Sequence, residues 1–183
     1  MAGGHSSAAV AHTGKNPFLK IVAAVSTFAG WCSAGMIVAA VAITCQMIVV
    51  RFVLNGSTVW QTEAVIYLVI AATLVGLPYV QRLRGHVNVD LIPLSLAPRP
   101  RFLMAILTSA LSIVIVGVML VYGYEYWHFA WERGWRSDTV WGVRLWIPYL
   151  AIPVGFGLLL LQLIADLIAV LTGVDKPFGL EDI

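Results

Sequence analysis

Residues 21–50 read IVAAVSTFAGWCSAGMIVAAVAITCQMIVV, thirty positions without one charged side chain. About 20 apolar residues in a helix are enough to cross the ~30 Å hydrocarbon core of a bilayer. At about 1.5 Å per residue this run makes a helix of about 45 Å, so it must tilt or project beyond the core. A secretory signal has an apolar centre of only about 7–15 residues and a small-residue cleavage site, so the run is expected to remain as a first span. Trp31 stands before Cys32, where lipoprotein processing needs a small residue. Cys32 and Cys45 lie about 20 Å apart along such a helix, too far for a disulfide, and read as small apolar packing residues. Ser26, Gly30 and Ala34 recur every four positions and form a candidate helix-packing face.

The rest of the chain fits the same environment. Of its 183 residues, 60% are hydrophobic and 11% charged, against about 25% charged in soluble proteins. A net charge of +2 without a long basic run excludes nucleic acid as a partner. The composition predicts an all-α integral membrane protein.

Residues 1–16 are small and polar, with His5 and His12 solvated, and read as a flexible tail. Arg51 closes the first run, and Asn55-Gly56-Ser57-Thr58 marks a turn. A second span is expected over about 60–80, with Thr58 and Gln61 at capping-box spacing and Glu63 in the first turn. Pro78 ends or bends that helix near its far end. A third span over 102–122 extends to about 133 through Tyr124, Tyr126, Trp127, Phe129 and Trp131, with Trp135 beyond; such residues form belts at the membrane boundary. Glu125, His128 and Glu132 lie among them, and residues 135–145 make a turn. The fourth span, 147–171, holds Pro148 and Pro153 in its opening turns, where a missing amide proton costs least. Asp166 is the carboxylate well inside an apolar run, expected to pair with an arginine of the central loop or to reach the interface. The predicted organisation is a tail over 1–16, four transmembrane helices within 17–172 and a second tail over 173–183.

Orientation comes from the loop between the second and third spans, residues 81–101, QRLRGHVNVDLIPLSLAPRPR. With four spans, Lys15, Lys20, Arg82, Arg84, Arg99, Arg101 and Lys176 fall on one face, and Arg51, Arg133, Arg136 and Arg144 on the other. The richer face is cytoplasmic by the positive-inside rule, so both termini are expected there. His86, Asn88 and Asp90 alternate with Val87, Val89 and Leu91, which predicts an interfacial amphipathic segment after the second span.

Catalysis would need a nucleophile with its base, a metal cluster or paired carboxylates in one pocket, and none is evident. His86 and Asp90 make two ligands, short of a metal site. A self-sufficient transporter usually carries internal repeats and polar groups near the midplane, whereas Gln46, Gln162 and Asp166 are the strongly polar residues well inside these spans. No catalytic residue, cofactor or metal is expected, and the residues alone lead to an accessory four-helix membrane subunit.

Three stretches carry a family likeness: Trp60-Gln61-Thr62-Glu63, residues 82–91 (RLRGHVNVDL), and residues 145–155 (LWIPYLAIPVG). Together they resemble the small membrane subunit, DctQ-like, of tripartite ATP-independent periplasmic (TRAP) transporters, over about residues 18–171. Thr62 departs from the family, which often has a second acidic residue there. The resemblance implies a bacterial inner-membrane protein bound to a large membrane subunit that holds the substrate and sodium sites. It also implies a periplasmic substrate-binding protein that delivers an organic acid. The small subunit would scaffold the large one, with membrane lipids around both. Glu63, Arg82, Arg84, His86, Asp90, Pro148, Pro153 and Gly155 would then be subunit-contact or interface residues. Two other readings stand beside it. One is the membrane anchor of a respiratory oxidoreductase with haem on His86 and His128, which the topology puts on opposite faces. The other is a small stand-alone membrane transporter.

Overall fold

A computed structural model describes residues 16–83 and 98–173. The interfacial segment with Arg84, His86 and Asp90 lies outside the described residues, as do Lys15, Lys176 and most of both expected tails. The regular structure of the described residues is helical, apart from one isolated antiparallel bridge between Arg136 and Arg144. The helices are α1 (Pro17–Phe52), α2 (Val59–Arg82), α3 (Pro98–Glu132), α4 (Trp146–Tyr149) and α5 (Ala151–Leu171). With α4 and α5 taken together, four helices are long and apolar enough to cross a membrane. The chain is a multi-pass membrane protein.

α1 and α2 form an antiparallel pair, α5 packs against both, and α3 lies along the other side of α5. Of the four spans the last is the most buried and α1 the least, which makes α5 the central post. Two apolar clusters mark its two sides. Leu19 and Val22 of α1 meet Ala165 and Ala169, and Val116 of α3 meets Leu159 and Leu163.

The buried face of α1 follows a 3.5-residue period through Leu19, Val22, Ser26, Ala29, Ser33 and Ala40, close to a coiled-coil seam. Ser26 is 2% exposed, and a Cβ on Gly30 would lie 2.5 Å from the Tyr79 ring. Ala34, however, is exposed. Steps of four residues gain about 40° each around a helix of 3.6 residues per turn, so the third member of that face rotates away. Ser33 takes the inward place and donates to the Ala72 carbonyl at 2.7 Å.

Pro78 neither ends α2 nor faces lipid: the helix runs through it to Arg82, and the ring is fully buried. Its missing N–H leaves the Leu74 carbonyl, four residues earlier, without a helical donor. At that carbonyl α5 comes closest, since a Cβ on Gly155 would lie 2.7 Å from the Leu74 oxygen. An α-hydrogen of Gly155 points there instead, a weak C–H···O contact that only glycine allows.

The aromatic extension of the third span is one continuous helix ending at Glu132. A Schellman closure stops it: Trp135 N–H donates to Ala130 O and Gly134 N–H to Trp131 O, both at 3.2 Å, with Gly134 at φ +58°. Residues 135–145 then fold as a short hairpin, Leu145 N–H to Trp135 O and Ser137 N–H to Val143 O, each 2.9 Å.

Candidate functional site

The polar side chains of the spans meet in two places, one at each end of the helix pair. At the end holding the start of α1 and the close of α2 and α5, Ser26 Oγ donates to Gln162 Oε1 at 2.6 Å. Gln162 Nε2 donates to Asp166 Oδ1 at 2.7 Å, one turn along α5. Gln81 Nε2, from α2, donates to Asp166 Oδ2 at 3.0 Å. One carboxylate and one amide therefore tie three helices together. Beside them the Arg82 guanidinium donates to the Ala23 carbonyl at 3.0 Å and to the Thr27 hydroxyl. In low dielectric such groups are costly unless paired, so the junction sets the register of the helices as well as their contact.

At the opposite end the contacts join α1, α2 and the hairpin. Gln61, 2% exposed, donates to Gln46 Oε1 at 3.4 Å. Glu63 Oε1 accepts from the Ser137 hydroxyl at 2.5 Å. Trp60 packs against Trp141 with ring centroids 6.3 Å apart. Gln61 Oε1 and Glu63 Oε2 are buried without a hydrogen-bond partner among the described residues. The expected capping box does not form: Thr58 makes no side-chain cap, and Gln61 turns inward to α1. Glu63 lies past the first turn and holds the hairpin rather than capping α2.

The aromatic residues build a wall over the start of the last span. Trp127 Nε1 donates to the Trp146 carbonyl at 3.1 Å, and Trp131 meets Trp146 edge-on with centroids 4.5 Å apart. Tyr126 packs on Tyr149 and Phe129 on Trp135, each pair 5.1 Å between centroids. His128 is exposed, stacks on Tyr124 and lies 3.8 Å from Glu132. Among the described residues no three His, Cys, Asp or Glu side chains cluster as metal ligands, and Cys32 and Cys45 are free thiols.

Four helices long and apolar enough to span a membrane, polar junctions between them and an aromatic-backed hairpin describe a membrane post. Comparison with known proteins agrees. The family model described as "Tripartite ATP-independent periplasmic transporters, DctQ component" matches residues 40–173. The chain belongs to this DctQ family. It is 26% identical over 153 residues to the C4-dicarboxylate TRAP transporter small permease protein DctQ of Vibrio cholerae serotype O1. That match covers 72% of this chain and 66% of the relative, just under two thirds of the relative's length.

As a DctQ-family member the chain is a component of a transporter and not an enzyme. Its motif residues are spread over both ends of the molecule. Arg82 is at the three-helix junction, and Glu63 is at the hairpin end. Pro148 lies in α4, Pro153 in the opening turn of α5, and Gly155 against α2. Ser33, Gln81 and Ser137 escaped the sequence reading. For Ser33 the 3.5-residue period was a usable signal; nothing local marks Ser137 as the partner of Glu63.

Proposed function

We propose that this DctQ-family chain is the small permease subunit that scaffolds the large membrane subunit of a TRAP transporter. The complex takes up an organic acid, driven by sodium and fed by a periplasmic binding protein. One observation carries the bracing role. Ser26, Gln81, Gln162 and Asp166 bond one another across α1, α2 and α5, while the outer ridge of α3 is an exposed apolar stripe. That stripe, Leu103, Leu107, Leu111, Val114, Val118 and Val121, has the three- and four-residue spacing that seats one helix against another. It fits a helical partner within the bilayer.

In this reading the chain sits in the bacterial inner membrane with both termini cytoplasmic. Glu63, the hairpin and the aromatic wall face the periplasm, while Arg82, Arg84, His86 and Asp90 lie at the cytoplasmic interface. Pro148, Pro153 and Gly155 shape the last span for its contacts. The relative's substrate, a four-carbon dicarboxylate, supports a carboxylate cargo for this complex too.

The test is copurification followed by reconstitution. A tagged chain extracted from its native membrane should bring down a large multi-span protein. Liposomes containing both, with the binding protein outside, should accumulate a dicarboxylate under a sodium gradient, and liposomes containing this chain alone should not. Sodium-driven uptake by the chain alone would overturn the reading.

A further inference from the structure

The hairpin between α3 and α4 sets Arg136 directly opposite Arg144 on an antiparallel bridge. Residues paired this way hold their Cβ atoms about 5 Å apart, and like charges so placed repel. Neither guanidinium forms an ion pair among the described residues, although Asp138 lies two residues from Arg136; Glu132 is beside His128, and Glu63, from α2, is bonded to Ser137. Arg133, the third cation of this loop, is taken up over the Phe129 ring at 4.4 Å. Arg136 and Arg144 instead line an open cleft of about 230 Å³ with Trp131, Gly134 and Trp146.

The depth of this cleft narrows its ligand. Its floor is the end of α3 and the start of the last span, the level at which tryptophan marks the boundary between acyl chains and headgroups. Two forked guanidiniums match the oxygens of a phosphate, and the indole walls suit the ester carbons attached to it. We propose that Arg136 and Arg144 clamp the headgroup phosphate of an anionic phospholipid beside the contacting Trp131 and Trp146 rings. Binding relieves the repulsion across the bridge and ties the hairpin to the membrane surface. An acidic protein segment is disfavoured because it would have to descend to headgroup level.

Native mass spectrometry of the full-length chain in detergent tests this, with dioleoyl phosphatidylglycerol, dioleoyl phosphatidylcholine and inorganic phosphate as separate probes. Phosphatidylglycerol should be retained in preference to phosphatidylcholine. The Arg136→Gln/Arg144→Gln variant should weaken its retention about tenfold, as expected when charge-assisted hydrogen bonds are lost. Arg133→Gln should leave retention unchanged. Arg136→Lys/Arg144→Lys, which keeps the charge without the fork, should fall between, and it carries the test if the glutamine pair loses helical content. Equal retention by wild type and both double variants overturns the proposal. So does equal retention of the two lipids, or displacement by inorganic phosphate at the lipid's own concentration. Loss of binding-protein capture in the double variant with lipid retention intact would assign the arginines to a protein instead.

Discussion

Gln162 uses both ends of its amide, accepting from Ser26 of α1 and donating to Asp166 of its own helix. Removing the amide leaves a hydroxyl and a carboxylate oxygen in a site that water does not readily enter. Interhelical hydrogen bonds within membranes average about 0.6 kcal/mol, with a ceiling near 1.7. Ser26→Ala should therefore cost about 0.6 kcal/mol in an SDS-titration unfolding assay, and Gln162→Ala about 1–2 kcal/mol, because it strips two partners at once. The double variant should cost less than the two singles together, because each single already breaks the same bond. Strict additivity would show that the contact contributes nothing. At this scale the sequence flagged Gln46, Gln162 and Asp166 as unusual, because amides and carboxylates are rare inside spans. It could not say that Gln81 and Ser26 were their partners, since those lie 85 and 136 residues away from Asp166 and Gln162.

Between elements, the decisive approach is that of α5 to α2 at Leu74. Gly155 and Gly157 lie two residues apart on α5, yet an added methyl meets opposite conditions at each. At Gly155 it would lie 2.7 Å from the backbone oxygen of Leu74, which cannot rotate aside. At Gly157 it would meet only the end of Leu120 at 3.8 Å, an ordinary contact. Gly155→Ala should push the helices apart and cost about 1–3 kcal/mol. Gly157→Ala should be neutral or stabilise by up to about 1 kcal/mol, since alanine is the better helix former. Midpoints of unfolding for the two variants check the contrast, and equal values would remove the close approach as its cause. Sequence reading placed Pro78 and Gly155 in the right helices. The link between them, a carbonyl freed by proline and met by a glycine from another helix, depends on the relative placement of the two helices, which no local pattern records.

The whole molecule is open rather than a closed bundle: α3 leans on α5, and its outer ridge is left to the membrane or to another subunit. The Glu63–Ser137 and Trp60–Trp141 contacts require the loop after α1 and the hairpin after α3 to share one side of the membrane. In a chain with Cys32 and Cys45 replaced by alanine, Asn55→Cys and Asp138→Cys should both react with an impermeant maleimide added to intact cells. Thr172→Cys should react only after the membrane is opened. Opposite accessibility of positions 55 and 138 would contradict the fold, whereas joint protection of both would reverse the orientation and leave the fold standing.

Membrane residence, helix number and approximate span positions were determined by the chain's own residues. A long uncharged run has one stable state in hydrocarbon, a helix that satisfies its backbone internally. Tertiary structure alone decided which face of α1 turns inward, that Thr58 and Gln61 do not close a box, and that Glu63 holds the hairpin. It alone set two arginines eight residues apart across one bridge. These outcomes turn on distances between segments remote in sequence, where a rotation of 80° or a shift of one turn reassigns every partner without changing any local preference.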